Sequence, residues 1–381
     1  MEKIRNIIVS THDSLHPVKG GGALRTLKVA EEFKMRGHNV TIIAPTDGKA
    51  VLNGVKVYWL HAPKKQRSQI LSSLKFNVRL LRKFLHFAAD TDMFFVHNTI
   101  SAASLLFLKI FFRFRYVLDI TDIHAEYLPV GKRNIVEIIV TPILLFIEYR
   151  IIKSADRIIA VTNAMRNHLI IKGVPKEKIE VVYDGAETDR ISTSKEPGFE
   201  KNIIHLGIVD RQHGVEYFIG AIPGVIKKRP DSKFFIIGGG RELDNIKRLA
   251  KSLGVIENCV FTGHLQCEEA REFLKKASIG VIPRQDNLPN RIITTLKLYE
   301  YWASGTAVVS SRLEGIAEIA AEEKNILFFK PGSCDDLAEK LISLLDDRKA
   351  VESMRAEGYR AAEKFRWSKL IPGIVDFALK Q

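Results

Sequence analysis

The stretch Thr294 to Ser311, T-T-L-K-L-Y-E-Y-W-A-S-G-T-A-V-V-S-S, predicts a helix that runs into Gly305 and stops there, followed by a short apolar strand from Ala307 to Ser310. Lys297 and Glu300 are three apart and share one helical face, while Leu296, Leu298 and Tyr299 point elsewhere. Upstream, the apolar run Ile279 to Ile282 reads as a strand, and Pro283 to Arg291 as the loop that follows it. In a parallel α/β sheet such a loop and the start of the next helix lie at the carboxyl edge, where ligands bind. A cation and an anion are then offered together at a binding edge. Standing alone, the pair is also an ordinary exposed ion pair worth a few tenths of a kcal/mol, roughly, so the rest of the chain decides its meaning.

Short Val/Ile/Phe-rich runs alternate with amphipathic helical stretches along the whole chain, which predicts an α/β protein with parallel sheets. Strands are expected near 5–10, 39–44, 55–60, 93–97, 115–120, 157–162 and 179–183, then near 202–208, 233–238, 258–262, 279–283, 306–310 and 326–330. A length of 381 residues favours two domains. The segment from Ile191 to Lys201 holds Ser192, Thr193, Ser194, Pro197 and Gly198 and has linker composition, so the expected division is 1–190, 191–365 and a C-terminal helix at 366–381.

Three cysteines without C-x-x-C spacing suggest neither a disulfide framework nor a zinc site, and fit a reducing compartment. The first apolar run, Ile7 to Ser10, is too short for a signal-peptide core, so a cytoplasmic protein is expected. Ile135 to Ile152 is interrupted by Glu137, Pro142 and Glu148 and is not expected to span a membrane. The net charge of +14 is uneven: residues 1–190 hold 29 Lys and Arg against 18 Asp and Glu, the remainder 29 against 26. A basic first half attracts phosphates or anionic lipid headgroups. Within it, residues 64–86 predict a basic amphipathic helix with an apolar stripe at Leu71, Leu74, Val78, Leu81 and Leu85, and with Lys75, Arg79, Arg82 and Lys83 on other faces. It offers a peripheral contact with an anionic membrane surface. No RNA-binding motif accompanies it, and nucleic acid is not an expected partner.

Three glycines, Gly20 to Gly22, precede a helix from Ala23 to about Arg36, which opens backbone N-H groups at the positive end of a helix dipole to a ligand. This is not a G-x-G-x-x-G loop, since Arg25 holds the last glycine's place. After the strand ending at Ile120 comes Thr121-Asp122-Ile123-His124-Ala125-Glu126-Tyr127, and His97 closes a strand of its own. Polar residues after two strands are what an active-site rim requires, which makes His124 and Asp122 candidates.

The string K-L-Y-E-Y-W-A-S-G-T-A-V-V-S-S resembles the K-l-x-E-y-m-A-x-G-x-P-V-v signature of the retaining nucleotide-sugar glycosyltransferases of group 1, which have the two-domain GT-B fold. G-G-G-A-L-R-T-L-K-V-A-E-E-F-K-M-R-G-H-N-V-T resembles the family's opening, Phe234 to Gly240 its i-v-G-x-G segment, Phe261-Thr262-Gly263-His264 its f-t-G-x segment, and Glu314 to Ile319 its g-G-x-x-E-i segment. The resemblance covers about residues 4–380. It implies two Rossmann-like domains facing across a cleft, with the C-terminal helix crossing back to the first. It also implies a sugar transferred from a nucleoside diphosphate to an acceptor, with retention; the basic first half adds a lipid-linked acceptor to the alternative of a glycan, and without a D-x-D motif in a suitable loop no metal and no cofactor are expected. By that resemblance Gly21 and Gly22 touch donor phosphate or acceptor, residues near Gly239, Gly263 and His264 contact the nucleotide, Gly315 lies near the phosphates, Glu300 takes ribose hydroxyls, and His124 and Asp122 lie near the reacting sugar.

Three positions depart from the family pattern. Ile208 and His213 stand where an Arg and a Lys usually bind the diphosphate, and Ile292 stands where a Glu contacts the donor sugar. Arg211 and Lys297 are the expected substitutes at the diphosphate; Asn287, Asn290 and Arg291 stay open for the sugar. The departures also leave two alternatives: a non-catalytic sugar-nucleotide-binding partner on a degraded scaffold, which would bind without turnover, and a sugar-nucleotide epimerase, which would act on donor without acceptor.

Overall fold

The computed structural model describes residues 4–16, 18, 20–46, 48, 51–60, 69–128, 135–187 and 193–380. The chain forms two compact units, Met1–Asp184 with Trp367–Gln381, and Gly185–Arg366. The division falls a few residues before the expected 190/191, a point that lies outside the described residues, and one residue after the expected 365/366.

The first unit holds β1 (Asn6–Ser10), β2 (Asn39–Pro45), β3 (Val51–Leu52), β4 (Val55–Leu60), β5 (Met93–His97), β6 (Arg115–Ile120), β7 (Arg157–Ala160) and β8 (Ile179–Val181). They form one sheet in the order β3-β4-β2-β1-β5-β6-β7-β8. All neighbours run parallel except β3, which pairs antiparallel with β4 through a turn in which Asn53 and Gly54 both take positive φ. An Asn-Gly pair between two apolar runs favours such a hairpin. Strand order reverses between β1 and β5, so the crossovers on either side place their helices on opposite faces. The helix Gly21–Met35 packs with Trp367–Leu379, while Gln69–Phe87, Ala103–Phe111 and Ile135–Ser154 lie side by side. The C-terminal helix therefore belongs to the first unit, as expected.

The helix Gln69–Phe87 buries a different face from the expected one. Phe76, Leu80 and Phe84 enter the core, whereas Leu74, Val78 and Leu85 stand exposed beside Lys75, Arg79 and Arg82. Both stripes have near-helical spacing, and the aromatic one buries more surface. Residues 64–68 and the Leu71 side chain lie outside the described residues.

The second unit holds β9 (Asn202–Leu206), β10 (Lys233–Ile237), β11 (Cys259–Gly263), β12 (Ile279–Ile282), β13 (Ala307–Ser311) and β14 (Leu327–Phe329), all parallel, in the order β11-β10-β9-β12-β13-β14. Counted within the unit this is the doubly wound order 3-2-1-4-5-6, with its switch point between β9 and β12. The expected helix spans Leu296–Ala303. It ends where Thr306 N-H donates to Tyr301 O and Gly305 N-H to Trp302 O, with Gly305 at φ 58°. That is the pattern in which a left-handed glycine closes a helix. Leu298, Tyr299, Tyr301 and Trp302 are fully buried, and Trp302 Nε1 donates to Asn325 O at 2.8 Å. Lys297 and Glu300 are left on the outer face.

Because Trp302 anchors this helix to the core, Trp302→Ala is expected to lower the stability of the second unit by about 3–5 kcal/mol. Chemical denaturation followed by a probe confined to that unit checks it, and a loss under about 1 kcal/mol would show the helix is held elsewhere.

Candidate functional site

In the first unit, the loop after β1, the end of β5 and the end of β6 meet at the carboxyl edge around the switch point. The Arg25 guanidinium is fully buried and grips Asp119 with Nε (2.8 Å) and Nη2 (2.8 Å), while Nη1 donates to Tyr183 O (2.9 Å) and Nη2 to Val182 O (3.1 Å). Asp119 Oδ2 lies 3.1 Å from His97 Nδ1. Burial opposes the charged carboxylate, but the Arg25 charge and the His97 hydrogen bond hold Asp119 down at about 2. Burial also opposes a charged His97, but the Asp119 hydrogen bond and charge, with Asp13 beyond, raise its pKa above the usual value. His97 Nε2 faces Gly22: a Cβ there would lie 2.4 Å from it and 2.5 Å from Asp13 Oδ2. Gly21 and Gly22 open the helix, and the second of them is the surface against which the imidazole rests.

Asp122 and His124 sit on the same edge. Asp122 accepts from Tyr127 OH at 2.7 Å, and its N-H donates to Asn98 Oδ1 at 3.2 Å. The His124 and Ala125 N-H groups donate to the two oxygens of buried Glu148, at 3.0 and 2.6 Å. His12 meets His124 edge to face at 5.3 Å between ring centroids. Among the described residues, Nδ1 of each is buried with no hydrogen-bond partner. Burial lowers the His12 pKa to about 4, with Asp13 opposing and His124 and His97 assisting. This rim can therefore offer two imidazoles and two carboxylates to the hydroxyls of a polyol.

In the second unit the loops after β9 and β12 and the helix Leu296–Ala303 meet at the switch point. Glycines let these loops stack. A Cβ on Gly214 would lie 1.9 Å from Pro283 O, on Gly240 2.2 Å from Val209 O, and on Gly315 2.4 Å from Ile293 O. Gly315 thus seats the turn Glu314–Ala317 against the segment that leads to Lys297. Gly239 passes His264 N at 3.3 Å from its added Cβ; Gly263 takes φ +71°, and His264 is exposed.

Lys297 Nζ is 2.7 Å from Glu300 Oε2, with both side chains partly exposed. Gly207 lies against Lys297 Cε and His205 Nε2. His205 Nδ1 lies 3.3 Å from Val281 O, and among the described residues Nε2 of His205 and of His213 is buried with no hydrogen-bond partner. Burial first, then the Val281 carbonyl opposing and the Lys297 and Arg284 charges assisting, sets His205 at about 4. Burial, then Arg284, His205 and Lys297, sets His213 at about 2. Two neutral imidazoles, each with a buried nitrogen that has no partner among the described residues, and two cations, Lys297 and Arg284, therefore share one positive site suited to a dianionic group.

The structure brings Lys297 and Glu300 together and leaves Arg211 exposed, while Arg284 is the second cation whose charge reaches His205 and His213. Asn290 is fully buried: its Oδ1 accepts from Arg284 Nη1 at 2.8 Å, and its Nδ2 donates to Gln212 O and Gln285 O, both at 2.9 Å. Its amide is spent on holding Arg284 and two loops rather than open to a ligand. Arg291 pairs with Asp286. Sequence reasoning left Arg284, His12, His205 and the Arg25-Asp119-His97 chain unassigned. Arg284 had a signal, since it stands second after β12, across the switch point from Gly207.

Residues 19–190 match a family model described as Glycosyltransferase Family 4, and residues 200–347 match one described as Glycosyl transferases group 1. The chain is 27% identical over 241 residues to an uncharacterized glycosyltransferase of Methanocaldococcus jannaschii, covering 58% of this chain and 60% of that one. It is 28% identical over 209 residues to a sulfoquinovosyl transferase of Arabidopsis thaliana, covering 54% and 38%. It is 23% identical over 241 residues to a GDP-mannose-dependent phosphatidylinositol monomannoside mannosyltransferase of Mycobacterium tuberculosis, covering 60% and 63%. The chain thus spans less than two thirds of the length of these curated relatives. Among solved structures, sucrose-phosphate synthase from Thermosynechococcus elongatus superposes with a TM-score of 0.81 at 16% identity over 97% of each chain. Anabaena HepE in complex with UDP-glucose gives 0.75 at 15% identity over 97% and 98%. These likenesses establish the fold, two parallel-sheet α/β domains of the GT-B type.

Two outcomes test the site. Arg25→Met leaves Asp119 buried without its main cation and is expected to cost about 3–5 kcal/mol, part of which Arg25→Met/Asp119→Asn recovers because the buried side chain at 119 is then neutral. Urea denaturation of both variants checks this, and equal losses would show that the charge is immaterial. His205, His12 and His213 are held neutral below their unfolded value of 6.5, so below that pH the unfolded chain gains protons that the folded chain refuses. Stability should fall as pH drops from 6.5 toward 4, at up to about 1.4 kcal/mol per pH unit for each group. His97 has the opposite sign, and its contribution is lost as pH rises past 6.5 through its raised value. A unfolding series from pH 7 to about 4.5 on wild type and His205→Gln should show the shallower slope in the variant; equal slopes would contradict the assignment.

Proposed function

The chain belongs to the group 1 glycosyltransferase family, and from that premise we propose that it moves a sugar from a nucleoside diphosphate donor to an acceptor hydroxyl, with retention and without a metal ion. The observation that carries this reading is the convergence of Lys297, Arg284, His205 and His213 at the β9/β12 switch point, beside Glu300. The bond between the anomeric carbon and the diphosphate oxygen breaks with its electron pair going to the diphosphate. The acceptor oxygen bonds to that carbon, and its proton passes to the departing diphosphate. Lys297 and Arg284 meet the growing negative charge, while the unpartnered imidazole nitrogens of His205 and His213 lie within the same positive field. When Lys297 turns to the phosphates, Glu300 is released to accept from ribose hydroxyls. His124 and Asp122 orient sugar hydroxyls on the N-terminal unit, which takes the acceptor.

The names of the relatives support a nucleotide-sugar donor: one relative is named as GDP-mannose-dependent and one neighbour was solved with UDP-glucose. The phosphatidylinositol mannoside named for the former supports a lipid-linked acceptor, here met at the cytoplasmic membrane face by the basic first half. Arg284 supplies a charge that Ile208 and His213 lack at the family's usual positions, which favours catalysis over a scaffold that only binds.

Glu300→Ala is expected to abolish the thermal shift given by one nucleoside diphosphate among UDP, GDP, ADP and their sugar conjugates, a shift that amounts to about 2.7 kcal/mol at a hundred times the dissociation constant. Lys297→Ala and Arg284→Met should each slow sugar transfer by about 10²-fold or more. Full activity in all three would refute the site; binding without turnover in wild type would favour the scaffold, and donor conversion without acceptor the epimerase.

A further inference from the structure

The three neighbouring helices Gln69–Phe87, Ala103–Phe111 and Ile135–Ser154 show a contrast between their two sides. Leu105, Leu108, Ile151 and Ile152 face the core and are buried. Phe107, Ile110 and Phe111 on the second helix and Ile139, Ile143 and Phe146 on the third are turned outward, with Ile110 73% and Phe146 68% exposed. The Phe107 and Phe111 rings lie 5.1 Å apart and form one apolar step. A soluble surface rarely leaves so many large apolar side chains on adjacent elements without a partner.

We propose that this helix layer is a docking surface for an anionic phospholipid bilayer, into whose interface the second and third helices press their Phe and Ile side chains. Charge picks the occupant. Lys75, Arg79 and Arg82 are exposed on the first helix, Arg113 just beyond the second, and Arg150 and Lys153 on the third. Residues 69–87 and 103–115 contain no Asp or Glu. Apolar residues bordered by cations suit an interface where acyl chains lie beneath anionic headgroups. A second copy of the chain meeting the first two helices with the same face would set their cations against cations, since neither helix carries an acid. A nucleic acid would find the cations but no use for outward Ile139 and Ile143. No helix among the described residues is long and apolar enough to cross a membrane, so the contact is one of lying on the surface. The exposed stripe Leu74, Val78 and Leu85 extends the same character onto the first helix. The inference sharpens the membrane-borne acceptor proposed above, yet it rests on the N-terminal unit alone.

Flotation of the full chain with vesicles of phosphatidylcholine, with and without phosphatidylglycerol, tests it beside Phe107→Ser/Phe111→Ser and Ile143→Ser/Phe146→Ser. The expected result is binding that requires the anionic lipid and drops about tenfold or more in each variant, while both variants stay monodisperse and keep the wild-type nucleotide thermal shift. Three results would overturn it: wild type that does not float, variants that bind as wild type does, or a wild-type dimer that the variants dissolve. The nucleotide shift reports on the second unit, so its loss in wild type would fault the donor reading and leave the surface standing.

Discussion

A buried guanidinium on a buried carboxylate governs the first unit. Arg25 and Asp119 are both out of contact with water, and removing either leaves the other a buried charge short of its main partner, at a cost of several kcal/mol, roughly. Their pairing therefore fixes where the helix Gly21–Met35 sits against β6. The remaining N-H groups of Arg25 take the carbonyls of Val182 and Tyr183, where the chain leaves the unit, and the guanidinium lies over the Trp367 ring, where the chain returns. Through Asp119 the same pair orients His97, and through His97 it dictates the glycine at Gly22. The packing of the unit and the chemistry of its rim thus share one electrostatic centre.

The second unit solves a different problem, that of collecting positive charge at one sheet edge, where Glu300 meets Lys297 and Arg284 is held by a neutral amide. Backbone does the collecting: Gly214, Gly240 and Gly315 allow three carbonyl contacts too close for any side chain, and so draw the segments after β9, β10, β12 and β13 together. Buried Asn290 then clamps Arg284 between two loop carbonyls. Burial first, and then the neighbouring charges, keeps two imidazoles neutral. Clustered cations favour a dianion over a neutral sugar, which is the discrimination the proposed diphosphate leaving group requires.

Much of this was legible in the chain. Every one of the thirteen expected strands is present, and the order of apolar runs announced two parallel sheets. The strand at Arg157 ends sooner than expected because Thr162 turns to cap the next helix, accepting from Met165 N-H at 2.9 Å. The short β3 escaped notice although Asn53-Gly54 marked its turn. Which stripe of Gln69–Phe87 would be buried could not be read, because two stripes compete at similar spacing and only the neighbouring helices choose between them. Lys297 and Glu300 were visible because a helix fixes their relation locally. Arg25 and Asp119, 94 residues apart, were not, since nothing local joins an arginine to a distant strand end. Arg211 was named for the diphosphate because it stands inside the Gly207–Gly214 loop, whereas Arg284 comes to the same edge from the loop after β12.

The central claim is that the β9/β12 switch point holds a nucleoside diphosphate. Hydrogen-deuterium exchange with and without the nucleoside diphosphate that stabilises the chain would test it most directly. Slowed exchange in Gly207–Gly214 and in 284–300, with β14 and the helix Cys334–Asp346 unchanged, is the predicted result. Slowed exchange confined to other segments, with those two loops unaltered, would contradict it.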